Sequence, residues 1–328
     1  MCYSGATKTI FAKYYKYFKD DIRLCGAFRD GLQTYGNTAV RTDIFRLPPT
    51  NPINTAIELD ELKYDLMKMI NTISNVHTIE IGSFANPKVL PIMRHTKTLL
   101  DYGIMHYPNI NYTILVPNYA RLQECINDDI YQKVSGFSYI TSVSQAFQQK
   151  NARQTLDESR KNIIQCINFV GSEKRAKVYI SCITECPIAG HIPDETIYNT
   201  IKPYIIMAAN GEIDEICLAD TCATLSSSDY TRIIETLYML GLPYSKMGLH
   251  LHVNMNIPER VSNARRILYS AFEHGIGGFD VTTMSQGGCS VTMKSPASNL
   301  DAEFFNTCCN EWLAQHNPSL ITPPAWFP

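Results

Sequence analysis

The chain has 328 residues, 45% hydrophobic and 18% charged, an ordinary globular balance with enough length for a large core. Its 29 basic and 31 acidic side chains leave a formal net charge of −2, which disfavours a general nucleic-acid or anionic-membrane binder. No apolar run reaches the roughly 18 residues of a membrane span, and the first residues lack the character of a signal or transit peptide. A cytoplasmic setting with reduced thiols is therefore expected for the 11 cysteines, none of which forms a CxxC pair.

In chain order, the first candidate strand is Ile22–Phe28, followed by an irregular stretch at 34–54 rich in Thr, Asn, Pro and Arg. Thr55 and Glu58 have capping-box spacing and open a helix whose apolar face is Leu59, Leu62, Leu66, Met69, Ile70 and Ile73. Strands are expected at His77–Phe84, Tyr112–Val116 and Phe137–Thr141. A second capping box, Thr155 with Glu158, opens a helix carrying Ile163, Ile164, Ile167 and Val170. The strand Lys177–Cys182 precedes a helical stretch near 194–209, which Pro203 puts in question at its middle. Then come Glu215–Thr221, a helical stretch near 228–240, Met247–His252, another near 257–274, and Phe279–Met284.

Most of the strand runs are continuous rather than alternating, as in parallel strands covered on both faces. Eight of them, each followed by a helix or helical stretch, predict an α/β fold, a single (β/α)8 TIM barrel. An open doubly wound sheet is the rival, but FRDGLQ stands where its Gly-rich phosphate loop would be. The expected organisation is an N-terminal extension at 1–21, a barrel at 22–304 with the long insertion 34–54 after strand one, and a short tail at 305–328. In a barrel that insertion lies on the catalytic face.

Candidate chemistry collects at the strand ends. His250 and His252 are two apart on a strand and so face the same way, where two imidazoles could share a metal; the alternative is a satisfied histidine pair. Asp30 closes strand one and adds a carboxylate, a mixed O/N set suited to Mg²⁺ or Mn²⁺ ahead of Zn²⁺. Arg29 could stabilise an oxyanion or form an ordinary salt bridge. Gly287, Gly288 and Cys289 follow the last strand, where two glycines permit a sharp turn and a thiol can be reactive; the alternative is a small buried side chain.

These residues resemble the hydroxymethylglutaryl-CoA lyase family, in the metal-dependent TIM-barrel lyase and synthase superfamily. RDGLQ at 29–33 resembles its opening motif. The resemblance continues in order through IEIGSFANPKVLPIM at 79–93, VPN at 116–118, FQQKN at 147–151, YISCITECP at 179–187 and EICLADT at 215–221. It ends with GLHLH at 248–252, GGC at 287–289 and SNLDAE at 298–303.

The resemblance implies cleavage of a 3-hydroxyacyl-CoA to acetyl-CoA and a 3-oxo acid, acetoacetate in the family, with a divalent metal. By motif the metal ligands would be Asp30, His250, His252 and Asn299. Arg29 would hold the enolate oxygen, Cys289 would be the acid/base, and Glu80 and Asp220 would be polar supports, Asp220 sharing in proton transfer. Gln33, Ser83 and Asn151 would contact the acyl-CoA substrate. A homodimer is left open. The GGC segment, and Leu32 inside the first motif, resemble the lyase branch more than the synthases. The chain also departs from the family pattern: Val253-Asn254-Met255 follows the HxH, the strand-six motif reads ADTCA rather than GDTxG, and CSVTMKSP follows the glycines. A related aldolase or Claisen-type synthase with another substrate, and a catalytically degenerate barrel, are the alternatives.

Overall fold

The computed structural model describes residues 22–24, 78–86, 91–282 and 297–316, and between the first two segments 59–60, 62–64, 66–67 and 70–71. The strands in chain order are β1 Ile22–Leu24, β2 Thr78–Ser83, β3 Asn111–Leu115, β4 Gly136–Ser142 and β5 Arg175–Ser181. A small hairpin, β6 Glu185–Cys186 with β7 Gly190–His191, precedes β8 Glu215–Ala219 and β9 Met247–His250. β10 His252–Val253, β11 Gly278–Asp280 and β12 Ser298–Asn299 complete the set.

Eight of these close a barrel in the order β1, β2, β3, β4, β5, β8, β9, β11 and back to β1, every pairing parallel. This is the expected (β/α)8 architecture, and every expected strand run carries a barrel strand.

The strands sort their side chains by parity. Val178 and Ile180 of β5, and Ile216 and Leu218 of β8, join the large core between barrel and helices. Lys177 and Tyr179, and Glu215 and Cys217, point the other way, into the barrel. Their partners prove it. Tyr179 Oη on β5 donates to Glu80 Oε2 on β2 at 3.2 Å, and Lys177 Nζ on β5 donates to Asp280 Oδ1 on β11 at 2.6 Å. Neither pair of strands is adjacent, so both contacts cross the interior. A Cβ at Gly248 would overlap Glu215 Oε1, and one at Gly278 would lie 2.8 Å from Glu215 Oε2. Glycine at both positions leaves room for a buried carboxylate.

The helices follow the sequence signals closely. Thr155 Oγ1 accepts from Glu158 N at 3.1 Å while Thr155 N donates to Glu158 Oε2 at 2.7 Å, a complete capping box for the helix Leu156–Val170. Leu62 and Leu66 of the first amphipathic pattern are buried; Thr55 and Glu58 lie outside the described residues.

Two points that the sequence leaves open have plain causes. The helix Asp194–Ala209 runs through Pro203 without a break. Proline in a helix costs about 3 kcal/mol, but a buried aliphatic or aromatic side chain contributes about 1.5–3 kcal/mol. Ile197, Ile201, Tyr204 and Ile205 are all buried on this helix, so packing wins. The last helix, Ala302–His316, runs across the expected boundary between the barrel, ending at 304, and the tail, starting at 305. Phe305 packs on Phe279 and Phe272 with ring centroids 5.1 and 5.8 Å apart, which ties this helix to the barrel wall.

Candidate metal centre at the barrel mouth

The two histidines leave the C-terminal end of β9 together. His250 is its last residue, and His252 opens β10. Their rings meet edge to face with centroids 4.9 Å apart. β10 pairs antiparallel with β12, setting His252 directly opposite Asn299. Residues directly opposite in such a ladder project to the same face of it. The segment 297–301 is held over the mouth by backbone bonds from Leu300 N to Leu251 O and from Thr282 N to Leu300 O. His250, His252 and Asn299 are all buried, the histidines only 4% and 8% exposed.

Hydrogen bonds fix which ring nitrogens carry protons. His252 Nδ1 lies 2.7 Å from the carbonyl oxygen of Asp220. A carbonyl only accepts, so Nδ1 donates and, in the neutral ring, the lone pair sits on Nε2. His250 Nδ1 lies 3.1 Å from Asp280 Oδ2. A carboxylate beside an ammonium also accepts, so the same tautomer follows. An imidazole whose Nδ1–H is tied to a carbonyl or carboxylate is the usual state of a metal-ligating histidine.

Asp220 does two things at this point. Its backbone orients His252, and its side chain accepts from Thr224 N at 3.1 Å and Leu225 N at 3.3 Å. Burial pushes its carboxyl up to about 6, against the opposing pull of those two N–H groups and of Arg260. Glu80 is fully buried below the mouth and accepts from Tyr179 Oη. Tyr179 in turn presents its ring to His250, with centroids 5.8 Å apart. Ser83 ends β2, and its Oγ accepts from Ala85 N at 3.0 Å. Asn151 lies half-buried near the end of the helix Gln145–Ala152. Arg29, Asp30, Gln33 and Cys289 lie outside the described residues, as do the 1–21 extension and the 34–54 insertion.

The structure therefore brings His250, His252, Asn299 and Asp220 together at one mouth. Sequence reading missed Asp280 and, behind it, Lys177. The signal was there: a lysine, a glutamate and an aspartate inside strands that otherwise read as fully covered must pair with one another.

A second cluster invites a metal reading and does not merit it. Glu215, Cys217 and Asp280 offer three ligand atoms within 4.8 Å of one another. Lys177 Nζ already lies 3.2 Å from Glu215 Oε1 and 2.6 Å from Asp280 Oδ1, over the Tyr179 ring at 4.3 Å. The cation of this cluster is an ammonium.

Backbone strain borders the mouth. Cys182, just after β5, and Ala223, in the loop after β8, have φ of 64° and 58°. Cys182 N donates to Thr221 Oγ1 at 2.9 Å, and Ala223 N to Asp220 O at 3.3 Å, which holds both turns. A side chain in this conformation costs about 1–2 kcal/mol, and glycine's looser unfolded chain gives back about 0.4–1 kcal/mol of the gain from relieving it. Ala223→Gly should therefore raise the urea midpoint, by up to about 1.6 kcal/mol in stability. A lowered midpoint would show that the methyl group has a packing role here. The eight described cysteines are free thiols, seven of them buried, and burial pushes Cys125 and Cys166 up to about 12.

Comparison with known proteins points the same way as the motifs. No protein-family model matches the chain. A 3-hydroxy-3-isohexenylglutaryl-CoA/hydroxymethylglutaryl-CoA lyase from Pseudomonas aeruginosa is 24% identical over 69% of this chain and 71% of its own length. The mitochondrial hydroxymethylglutaryl-CoA lyase of Mus musculus is 26% identical over 74% of this chain and 69% of its own. The solved structure of a hydroxymethylglutaryl-CoA lyase from Acinetobacter baumannii, in complex with coenzyme A and 3-methylmalate, superimposes with a TM-score of 0.67 at 22% identity. It covers 88% of this chain and 82% of that one, a likeness of the barrel fold. No helix among the described residues is long and apolar enough to cross a membrane.

Proposed function

We propose that this chain, a relative of the hydroxymethylglutaryl-CoA lyases, is a metal-dependent carbon–carbon lyase that cleaves a 3-hydroxyacyl-CoA to acetyl-CoA and a 3-oxo acid. The observation that carries the reading is the histidine pair at the mouth, each Nδ1–H bonded away so that each Nε2 bears the lone pair. His250, His252, Asn299 and, by motif, Asp30 would hold a divalent cation. An oxygen-rich set with two imidazoles suits Mg²⁺ or Mn²⁺ better than Zn²⁺. When bound, such an ion polarises the hydroxyl and carbonyl oxygens of a substrate.

The remaining steps belong to the chain's own groups. The Cys289 thiolate takes the proton of the substrate hydroxyl and becomes the thiol. The oxygen's electron pair then forms the ketone of the 3-oxo acid as the adjacent carbon–carbon bond breaks. The pair from that bond becomes the enolate of the acetyl thioester, whose oxygen the Arg29 guanidinium holds. A proton returned from Cys289 to the enolate carbon completes acetyl-CoA. The Asp220 carboxyl, raised to about 6, can share that proton near neutral pH. Glu80 steadies Tyr179 against His250. Gln33, Ser83 and Asn151 are the proposed contacts to the acyl-CoA.

A cytoplasmic setting is part of the proposal. The names of curated relatives include both a cytoplasmic enzyme of Rattus norvegicus and a mitochondrial one of Mus musculus.

A coupled assay for acetyl-CoA release from a panel of 3-hydroxyacyl-CoA thioesters, with and without Mg²⁺, tests the reading. Release from at least one thioester, dependent on metal, is expected. Cys289→Ala should keep metal binding and lose about 10²–10⁴ in kcat, the usual worth of a positioned acid/base. Cys289→Ser should be similarly poor. Parent-rate turnover in both variants would remove the thiol from the mechanism, and no release from any thioester would remove the lyase in favour of a synthase or a degenerate barrel.

A further inference from the structure

We infer that Asp280 is the positioning residue for His250, and that Lys177, reaching across the barrel floor, is what makes it one. The inference rests on the metal-site reading above. It extends that site by a chain of buried groups running from the barrel interior to the mouth.

The chain is continuous. Glu215 Oε1 lies 3.2 Å from Lys177 Nζ, Lys177 Nζ donates to Asp280 Oδ1 at 2.6 Å, and His250 Nδ1 donates to Asp280 Oδ2 at 3.1 Å. Cys217 Sγ also approaches Oδ2, at 3.8 Å. Lys177, Glu215, Asp280 and His250 are each no more than 4% exposed. The four residues sit on β5, β8, β11 and β9, so the rigid barrel sets their spacing.

Each link constrains the next. The ammonium takes Oδ1 at the shorter distance, which leaves Oδ2 facing the imidazole. A carboxylate oxygen can only accept, so the ring must present Nδ1–H to it and keep its lone pair on Nε2. The strand register sets His250 directly beside Asp280, so the two side chains leave neighbouring strands at the same level. Lys177 on Oδ1 thereby sets which oxygen faces the histidine.

Asp280→Asn separates orientation from mere filling of space. The amide keeps the shape, and its oxygen stays with the Lys177 ammonium because that pairing is charge-assisted. Its NH2 then faces His250 Nδ1, which must accept, and the ring proton moves to Nε2. An imidazole in that tautomer has no lone pair to offer at the mouth. The same exchange at the aspartate–histidine pair of serine proteases leaves geometry intact and costs about 10⁴ in kcat through the wrong tautomer.

The test is ¹⁵N-histidine NMR of the full chain, stripped of metal, beside Mn²⁺ affinity by calorimetry. In the parent, Nδ1 of His250 should be the protonated nitrogen and Nε2 the bare one. In Asp280→Asn the two should exchange, and Mn²⁺ affinity should fall about 10–100-fold, the usual loss when a histidine's outer partner is removed. A parent whose His250 carries its proton on Nε2 overturns the inference without any variant being needed. An Asp280→Asn chain that folds with the parent tautomer and the parent Mn²⁺ affinity overturns it as well. A parent that binds no Mn²⁺ refutes the metal reading instead, while its tautomer still decides the role of Asp280.

Discussion

His250→Ala and His252→Ala are each expected to reduce metal-dependent turnover to background while leaving the barrel folded. Two ring nitrogens are the only nitrogen ligands in the proposed set, and each ring is oriented by its own hydrogen bond. Losing an outer partner of a ligating histidine costs about 10–100-fold in metal affinity or activity. Losing the ligand itself must cost more. The fold should survive because the groups that each ring pairs with keep their other partners: Asp280 keeps Lys177 when His250 is gone, and the Asp220 carboxyl keeps Thr224 and Leu225 when His252 is gone. The coupled assay and a thermal melt on the same samples check both halves. Parent-like turnover in either variant would refute its role as a ligand.

Lys177→Met is expected to be among the most destabilising single changes in the barrel. Lys177 is 4% exposed and is the cation shared by Glu215 and Asp280. Methionine fills the stem but leaves two buried carboxylates facing each other. Removing one partner of a buried ion pair costs about 3–5 kcal/mol. A domain's whole stability is about 5–15 kcal/mol, so urea unfolding should shift markedly or the chain should fail to fold. Replacing all three, Lys177→Met with Glu215→Gln and Asp280→Asn, should restore most of the loss, because the penalty is the uncompensated charge and not the missing contact. Equal midpoints for parent and Lys177→Met would mean that the cluster is not held by charge.

How much of this was legible in the sequence depends on the range of the forces involved. The barrel strands and the capping box at Thr155 and Glu158 rest on local patterns, apolar runs and three-residue spacing, and both came through. The helix at 194–209 came through too, but its continuity across Pro203 was left open, because a proline penalty is local while the burial that outweighs it is tertiary. The same holds for the site. His250 and His252 stand two apart in an expected strand run, and although that run is split between β9 and β10 their rings still meet. Asp280 lies 30 residues from His250 and 103 from Lys177, and only closure of the barrel brings them together. The charged residues were visible as anomalies inside buried strands; which one answers which is a property of the register.

The central claim is a divalent cation at the mouth, held by the two histidines. Titration of the metal-stripped parent with Mn²⁺, followed by electron paramagnetic resonance, tests it most directly. One saturable site is expected, lost or greatly weakened in His252→Ala, with the bound ion displaced by Mg²⁺. A parent that shows no saturable Mn²⁺ site, or a His252→Ala chain that binds as the parent does, would contradict the account.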